Sequence, residues 1–79
     1  MKFFRSKKLE VGDRVYEVNS NNNILEWDVK SVHQYGTHTN YTLISPNRDS
    51  FCTYDENAVD RHIFTNIEMA KKEREKRAL

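Results

Sequence analysis

A single cysteine, Cys52, leaves this chain without any intramolecular disulfide. A lone thiol is the usage of a reducing compartment, so a cytoplasmic location is expected. Long apolar runs are missing too. The first residues, Met1-Lys2-Phe3-Phe4-Arg5-Ser6-Lys7-Lys8, are basic but lead into no hydrophobic stretch, so neither a secretory signal nor a membrane span is expected. Two glycines and one proline among 79 residues leave most turns to asparagine, aspartate and serine. At this length one domain is expected, and a chain of this size buries only about 60% of the surface its unfolded form exposes. Domains so small often lean on disulfides or a structural metal; here the hydrophobic core must suffice.

Charge is present in quantity but unevenly placed. The net charge is +1, yet residues 1–8 carry Lys2, Arg5, Lys7 and Lys8 with no acid. Residues 71–77 carry Lys71, Lys72, Arg74, Lys76 and Arg77 against Glu73 and Glu75. The segment 9–70 therefore holds ten acids against Arg14, Lys30, Arg48 and Arg61, a balance of −6. An acidic body with two basic ends bears on association and choice of partner.

The hydrophobic pattern is that of short strands. Gly12-Asp13 makes a turn, and Arg14-Val15-Tyr16-Glu17-Val18 behind it favours a pleated surface. The asparagines of 19–23 form the next turn. From Ile24 to about Tyr35, Leu25, Trp27 and Val29 alternate with Glu26, Asp28 and Lys30, the period of a half-buried strand. Val32 falls on the other parity, which predicts a bulge near Ser31. A turn at 36–39, a strand at 41–44, a turn at 45–49 and a strand at 50–54 follow. The stretch 55–59 suits one helical turn, and 62–64 suits a very short closing strand. Thr65 with Glu68 three positions on has the form of a capping box, predicting a helix over 65–79. The pairs Glu68–Lys72, Lys71–Glu75 and Glu73–Arg77 lie four apart along it. No apolar stripe follows Ala70, so the later turns are expected to stand in water or to meet a partner through charge.

Strands at roughly ten-residue spacing with turns between them indicate a small sheet that curls on itself. The opening Val11-Gly12-Asp13-Arg14-Val15-Tyr16, the Glu26-Trp27-Asp28-Val29 strand and Ile63-Phe64-Thr65 before the charged helix together resemble the small Src-homology-3-type barrels with a C-terminal helix of uncharacterised bacterial and bacteriophage proteins. The likeness runs from Val11 to about Lys72. It implies a mainly β (β+α) fold, a five-stranded antiparallel barrel followed by one helix, and a docking role for protein or nucleic acid in a phage or mobile-element protein. No binding residue comes with it. The expected organisation is a basic segment at 1–8, a barrel at 9–64 and a charged helix at 65–79.

Catalytic and metal chemistry have little to stand on. His33, His38 and His62 are not spaced as ligand pairs, and Cys52, alternating within a strand, reads as a small buried apolar residue. Glu26 and Asp28, two apart on a strand, share a face as an acidic ridge, and Asp55-Glu56-Asn57 lacks the spacing of a calcium loop. No enzyme activity and no cofactor are expected. Trp27, Phe51 and Phe64 are assigned to the core or to cross-strand pairs, while Tyr16, Tyr35 and Tyr41 are candidates for an aromatic binding face. With Lys71, Lys72 and Arg74 they make up the expected protein-binding set of a non-enzymatic interaction module whose partner is a protein, host-encoded if the chain is phage-encoded. Self-association through the opposed charges is a further expectation. The rival is a nucleic-acid-binding accessory protein using Lys2, Lys7, Lys8, Lys71, Lys72, Arg74, Lys76 and Arg77, although an acidic barrel repels phosphate. A small-ligand binder is a third reading that would need a pocket.

Overall fold

The computed structural model describes residues 9–79. Five strands follow one another: β1 (Arg14–Val18), β2 (Ile24–Tyr35), β3 (His38–Ile44), β4 (Phe51–Asp55) and β5 (Ile63–Phe64). One turn of 3₁₀ helix (Glu56–Ala58) joins the last two strands, and helix α1 (Ile67–Arg77) ends the chain. All ladders are antiparallel, in the order β4-β3-β2-β1-β5. With β4 and β5 unpaired to each other, the sheet is a curled half-barrel, mainly β with a C-terminal helix. Residues 1–8, with Lys2, Lys7 and Lys8, lie outside the described residues.

The turns explain the register. In the first, Asn19 Oδ1 accepts from the N–H groups of Asn21 and Asn23, and Asn22 takes a left-handed φ of 65°, which asparagine adopts at small cost. The hairpin between β2 and β3 turns on two residues, with Gly36 at φ 61°. A positive φ at the first central position alone is the type II′ geometry, which matches the twist of the flanking strands. The bulge falls where the alternation slips: Val29 faces Leu43 and Ser31 faces Thr42, leaving Lys30 as the extra residue. Its effect is to return Val32 to the face of Val29, opposite Tyr41.

Two clusters fill the two faces of the sheet. On the concave side Leu9, Val15, Trp27, Val29, Tyr41, Leu43 and Ile63 pack with Ala58 and Val59. On the convex side Val18, Phe64 and Ala70 pack together, with Tyr16 and Ile24 against them, under α1. Trp27 and Phe64 are buried as expected. Phe51 is instead 58% exposed, in a cross-strand pair. It opposes Ile44 at the start of β4, an outermost strand, and the helix packs on the β1, β2 and β5 side instead. Tyr41 takes the core place, at 2% exposure. Leu25 keeps the parity of Trp27 but is 40% exposed: β3 pairs with β2 only from Asp28 onward, so Leu25 has a strand neighbour on the β1 side alone.

The helix departs from its sequence reading in two ways. Its cap is Asn66, not Thr65: Asn66 Oδ1 accepts from the N–H of Glu68 at 2.7 Å and of Met69 at 3.4 Å. Asparagine and threonine are both good caps, and the helical phase that buries Ala70 beside Val18 and Phe64 decides for the later residue. Ile67 and Met69 are partly exposed, at 37% and 45%, and Ala70 is the one buried residue of the helix. The second departure is that the far end of the helix is held to the sheet, by polar groups.

Candidate functional site

The seam of the half-barrel, where Tyr54 of β4 approaches the end of β1, holds a hollow of about 400 Å³ bordered by Glu17, Val18, Tyr54, His62 and Arg77. Glu17 shares the inward parity of Val15 on β1 and sits on the concave face. Its carboxylate is engaged at both oxygens: Trp27 Nε1–H donates to Oε1 at 2.8 Å, and the Tyr54 hydroxyl donates to Oε2. The second bond crosses from β4 to β1, so side chains bridge the seam that the backbone leaves open. Tyr54 also stacks on His62, with ring centroids 6.4 Å apart.

Arg77 closes the other wall. Its Nη1–H donates to the Val18 carbonyl at 2.9 Å and Nη2–H to the Arg61 carbonyl at 2.9 Å. Nε–H donates to Glu73 at 2.8 Å, and His62 Nδ1 lies 3.3 Å from Nη2. One guanidinium thus ties the end of β1, the entry to β5 and the helix together. Its planar fork of donors suits this, because separate nitrogens reach separated acceptors, whereas a lysine presents its three donors from one compact nitrogen. Asn22 Nδ2 adds a bond to the Arg74 carbonyl at 3.1 Å. Hydrogen bonding to Arg77 holds the Glu73 carboxyl below its usual range.

Titration follows the same packing. Burial, with the Glu17 charge as a smaller cause, pushes the Cys52 thiol from 9.0 up to about 11. Burial first and the hydrogen bond to Glu17 second push the Tyr54 phenol upward as well. Both groups thus stay protonated near neutral pH, and the Glu17 carboxylate is occupied by two donors. The seam holds its acidic group as an acceptor for two donors. Because the folded state keeps the thiol proton to a higher pH than the unfolded chain does, stability should fall as pH climbs from about 9 through about 11. A pKa raised by about two units leaves about a hundredfold less thiolate at pH 8. Iodoacetamide should therefore modify Cys52 far more slowly in native protein than in urea; equal rates would refute the shift.

Elsewhere the sequence candidates scatter. Tyr41 is in the core and its hydroxyl accepts from the Leu9 N–H at 3.4 Å. Tyr16 is half-buried beneath α1, beside Val18 and Phe64. Tyr35 is 61% exposed beside the β2–β3 hairpin. The three do not form one aromatic face, because strand parity and burial send each to a different surrounding. The acidic ridge of Glu26 and Asp28 is bridged by Arg14, at 3.0 and 2.6 Å. His38 pairs with Asp55 at 3.2 Å, and His33 Nε2 lies 2.9 Å from Ser31 Oγ. Among the described residues no group of three or more His, Cys, Asp or Glu side chains is placed to hold a metal ion. Among the described residues no helix is long and apolar enough to cross a membrane.

On α1 the charges sort by face. Glu73 and Arg77 are turned inward and half-buried, whereas Lys71, Lys72, Arg74 and Lys76 are exposed. Of the three pairs four apart, Glu73–Arg77 alone closes among the described residues. Sequence reading missed Glu17 and the inward role of Arg77. The signal for Glu17 was available: a charge at the inward parity of Val15 needs buried donors. Arg77 carries no such signal, since its acceptors are main-chain carbonyls distant in sequence. No family model, no curated protein and no solved structure matches the chain.

Proposed function

We propose that this protein is a non-enzymatic interaction module that docks on another protein through the outer face of α1. What carries the reading is the arrangement of Lys71, Lys72 and Arg74. They are exposed and form no ion pair among the described residues, on a helix whose end Arg77 anchors to the sheet. A rigid cationic face loses little entropy on meeting an acidic partner. The resemblance to small Src-homology-3-type barrels supports the finer reading: a phage or mobile-element accessory protein acting on a host protein in the host cytoplasm. Tyr35 is the aromatic candidate that stays accessible.

The rival, binding of nucleic acid by the basic ends, draws on the same exposed bases and on Lys2, Lys7 and Lys8. Arg77 serves it poorly, being spent on main-chain carbonyls, and the −6 of residues 9–70 opposes a phosphate backbone. The test is the triple reversal Lys71→Glu, Lys72→Glu and Arg74→Glu. A partner captured from host lysate and identified by mass spectrometry should bind the wild type in a salt-sensitive way, as screening shortens from about 10 Å at 0.1 M to about 3 Å at 1 M. The reversed protein should associate at least about tenfold more slowly with its melt little changed, because exposed charges contribute little to stability. Equal binding that is flat with salt would sink the reading. Saturable, salt-sensitive binding to DNA or RNA with no protein partner would hand it to the rival.

A further inference from the structure

The outermost strand β4 has a free side whose hydrogen-bonding groups can be assigned. Ser45 N–H donates to the Ser50 carbonyl at 2.9 Å at the mouth of the β3–β4 hairpin. Hydrogen-bonded pairs alternate along an antiparallel ladder, so Leu43–Cys52 and Tyr41–Tyr54 are the next two such pairs. Thr39 agrees with this phase, its N–H pointing across to Glu56 Oε1 at 2.7 Å. The main-chain groups of Cys52 and Tyr54 therefore serve β3, and those of Phe51, Thr53 and Asp55 face outward.

Protein edges are commonly guarded by lysine, proline, a bulge or extreme shortness. Strand β4, Phe-Cys-Thr-Tyr-Asp, has five residues, neither lysine nor proline, and an unbroken register on β3. The other edge, β5, has only two residues. Phe51 and Thr53 are exposed beside the open groups. Asp49, Asp55, Glu56 and Asp60 lie on β4 and its flanks against Arg48 and Arg61. None of these four acids pairs with a lysine or arginine among the described residues.

We propose that the free edge of β4 is a strand-addition site for an extended, basic segment of a partner protein. The incoming main chain pairs with Phe51, Thr53 and Asp55, an apolar side chain rests on Phe51, and bases answer the flanking acids. Strand addition of this kind draws affinity from main-chain bonds and selectivity from side chains. A second copy fits less well: an antiparallel pairing of two β4 strands about Thr53 sets Phe51 beside the other copy's Asp55 and brings two acidic edges together. The site is separate from the α1 face and stands or falls apart from it.

The probe is a blocked peptide, Lys-Val-Thr-Val-Lys, followed by amide hydrogen exchange read residue by residue. At saturation, exchange at Phe51, Thr53 and Asp55 should slow about tenfold or more, with no change at Lys71 or Lys72. Glutamate in place of both peptide lysines should weaken binding about fivefold at low salt, and N-methylation at alternate peptide residues should abolish it. Thr53→Pro removes an outward N–H that β3 does not use, a substitution edge strands tolerate, and should lose the peptide while keeping its melt. Should that variant fail to fold, the N-methylated peptide decides. Equal binding of the N-methylated peptide, protection confined to α1, or protection that grows with protein concentration without peptide would each overturn the proposal, the last in favour of a second copy.

Discussion

Trp27→Ala should lower the unfolding midpoint by roughly 12–24 °C, from a loss of about 3 kcal/mol and about 4–8 °C per kcal/mol in a domain this small. Trp27 is 8% exposed in the concave cluster with Val15, Val29 and Leu43. Truncation removes its packing and also leaves Glu17 Oε1 without the indole donor. A half-buried carboxylate that loses a partner adds its own penalty. Total stability in a chain of 79 residues is about 4–12 kcal/mol, so a large share of it goes with one side chain. Trp27→Phe separates the two effects, since it keeps most of the packing and loses only the N–H. Its midpoint should fall between those of wild type and alanine. A melt of the alanine variant within a few degrees of wild type would refute the core assignment.

Arg77→Ala should cost about 2 kcal/mol, and Arg77→Lys should restore little of it. The side chain is 26% exposed, and its bonds to the carbonyls of Val18 and Arg61 hold three elements in place. Charge-assisted bonds are worth about 1.5–3 kcal/mol each when well shielded, and partial exposure here argues for the lower figure in total. With no apolar stripe after Ala70, the sequence predicts later turns that stand in water or meet a partner, and so a fold that survives their removal. The Arg77 contacts reverse that expectation: a chain ended after Lys72 should melt lower by about 8–16 °C, losing at least as much as Arg77→Ala. The measurement is thermal unfolding followed by circular dichroism. If the truncated protein melts with the wild type, the clamp adds nothing.

Much of the architecture was legible because strand signals are local. Alternation marked Trp27 and Val29 as inward, the slip at Val32 marked the bulge, and the asparagines and Gly36 marked turns through their tolerance of positive φ. Charge placement was legible for the same reason, since the acidic body and basic helix are countable from the sequence.

What the sequence alone determined, then, was the number and period of the elements, which backbone sterics and one-residue alternation impose wherever the chain sits. The tertiary structure decided which positions were inside. Tyr41 and Phe51 are both aromatics on short strands, yet one is buried and the other exposed: Tyr41 shares the face of Tyr54 in the core cluster, whereas Phe51 lies on the other face of an outermost strand, away from the helix. It also decided the fate of Arg77, whose fork of donors finds acceptors 59 and 16 residues away. Pairings at that range depend on the closure of the whole sheet, and no local pattern of residue types encodes them.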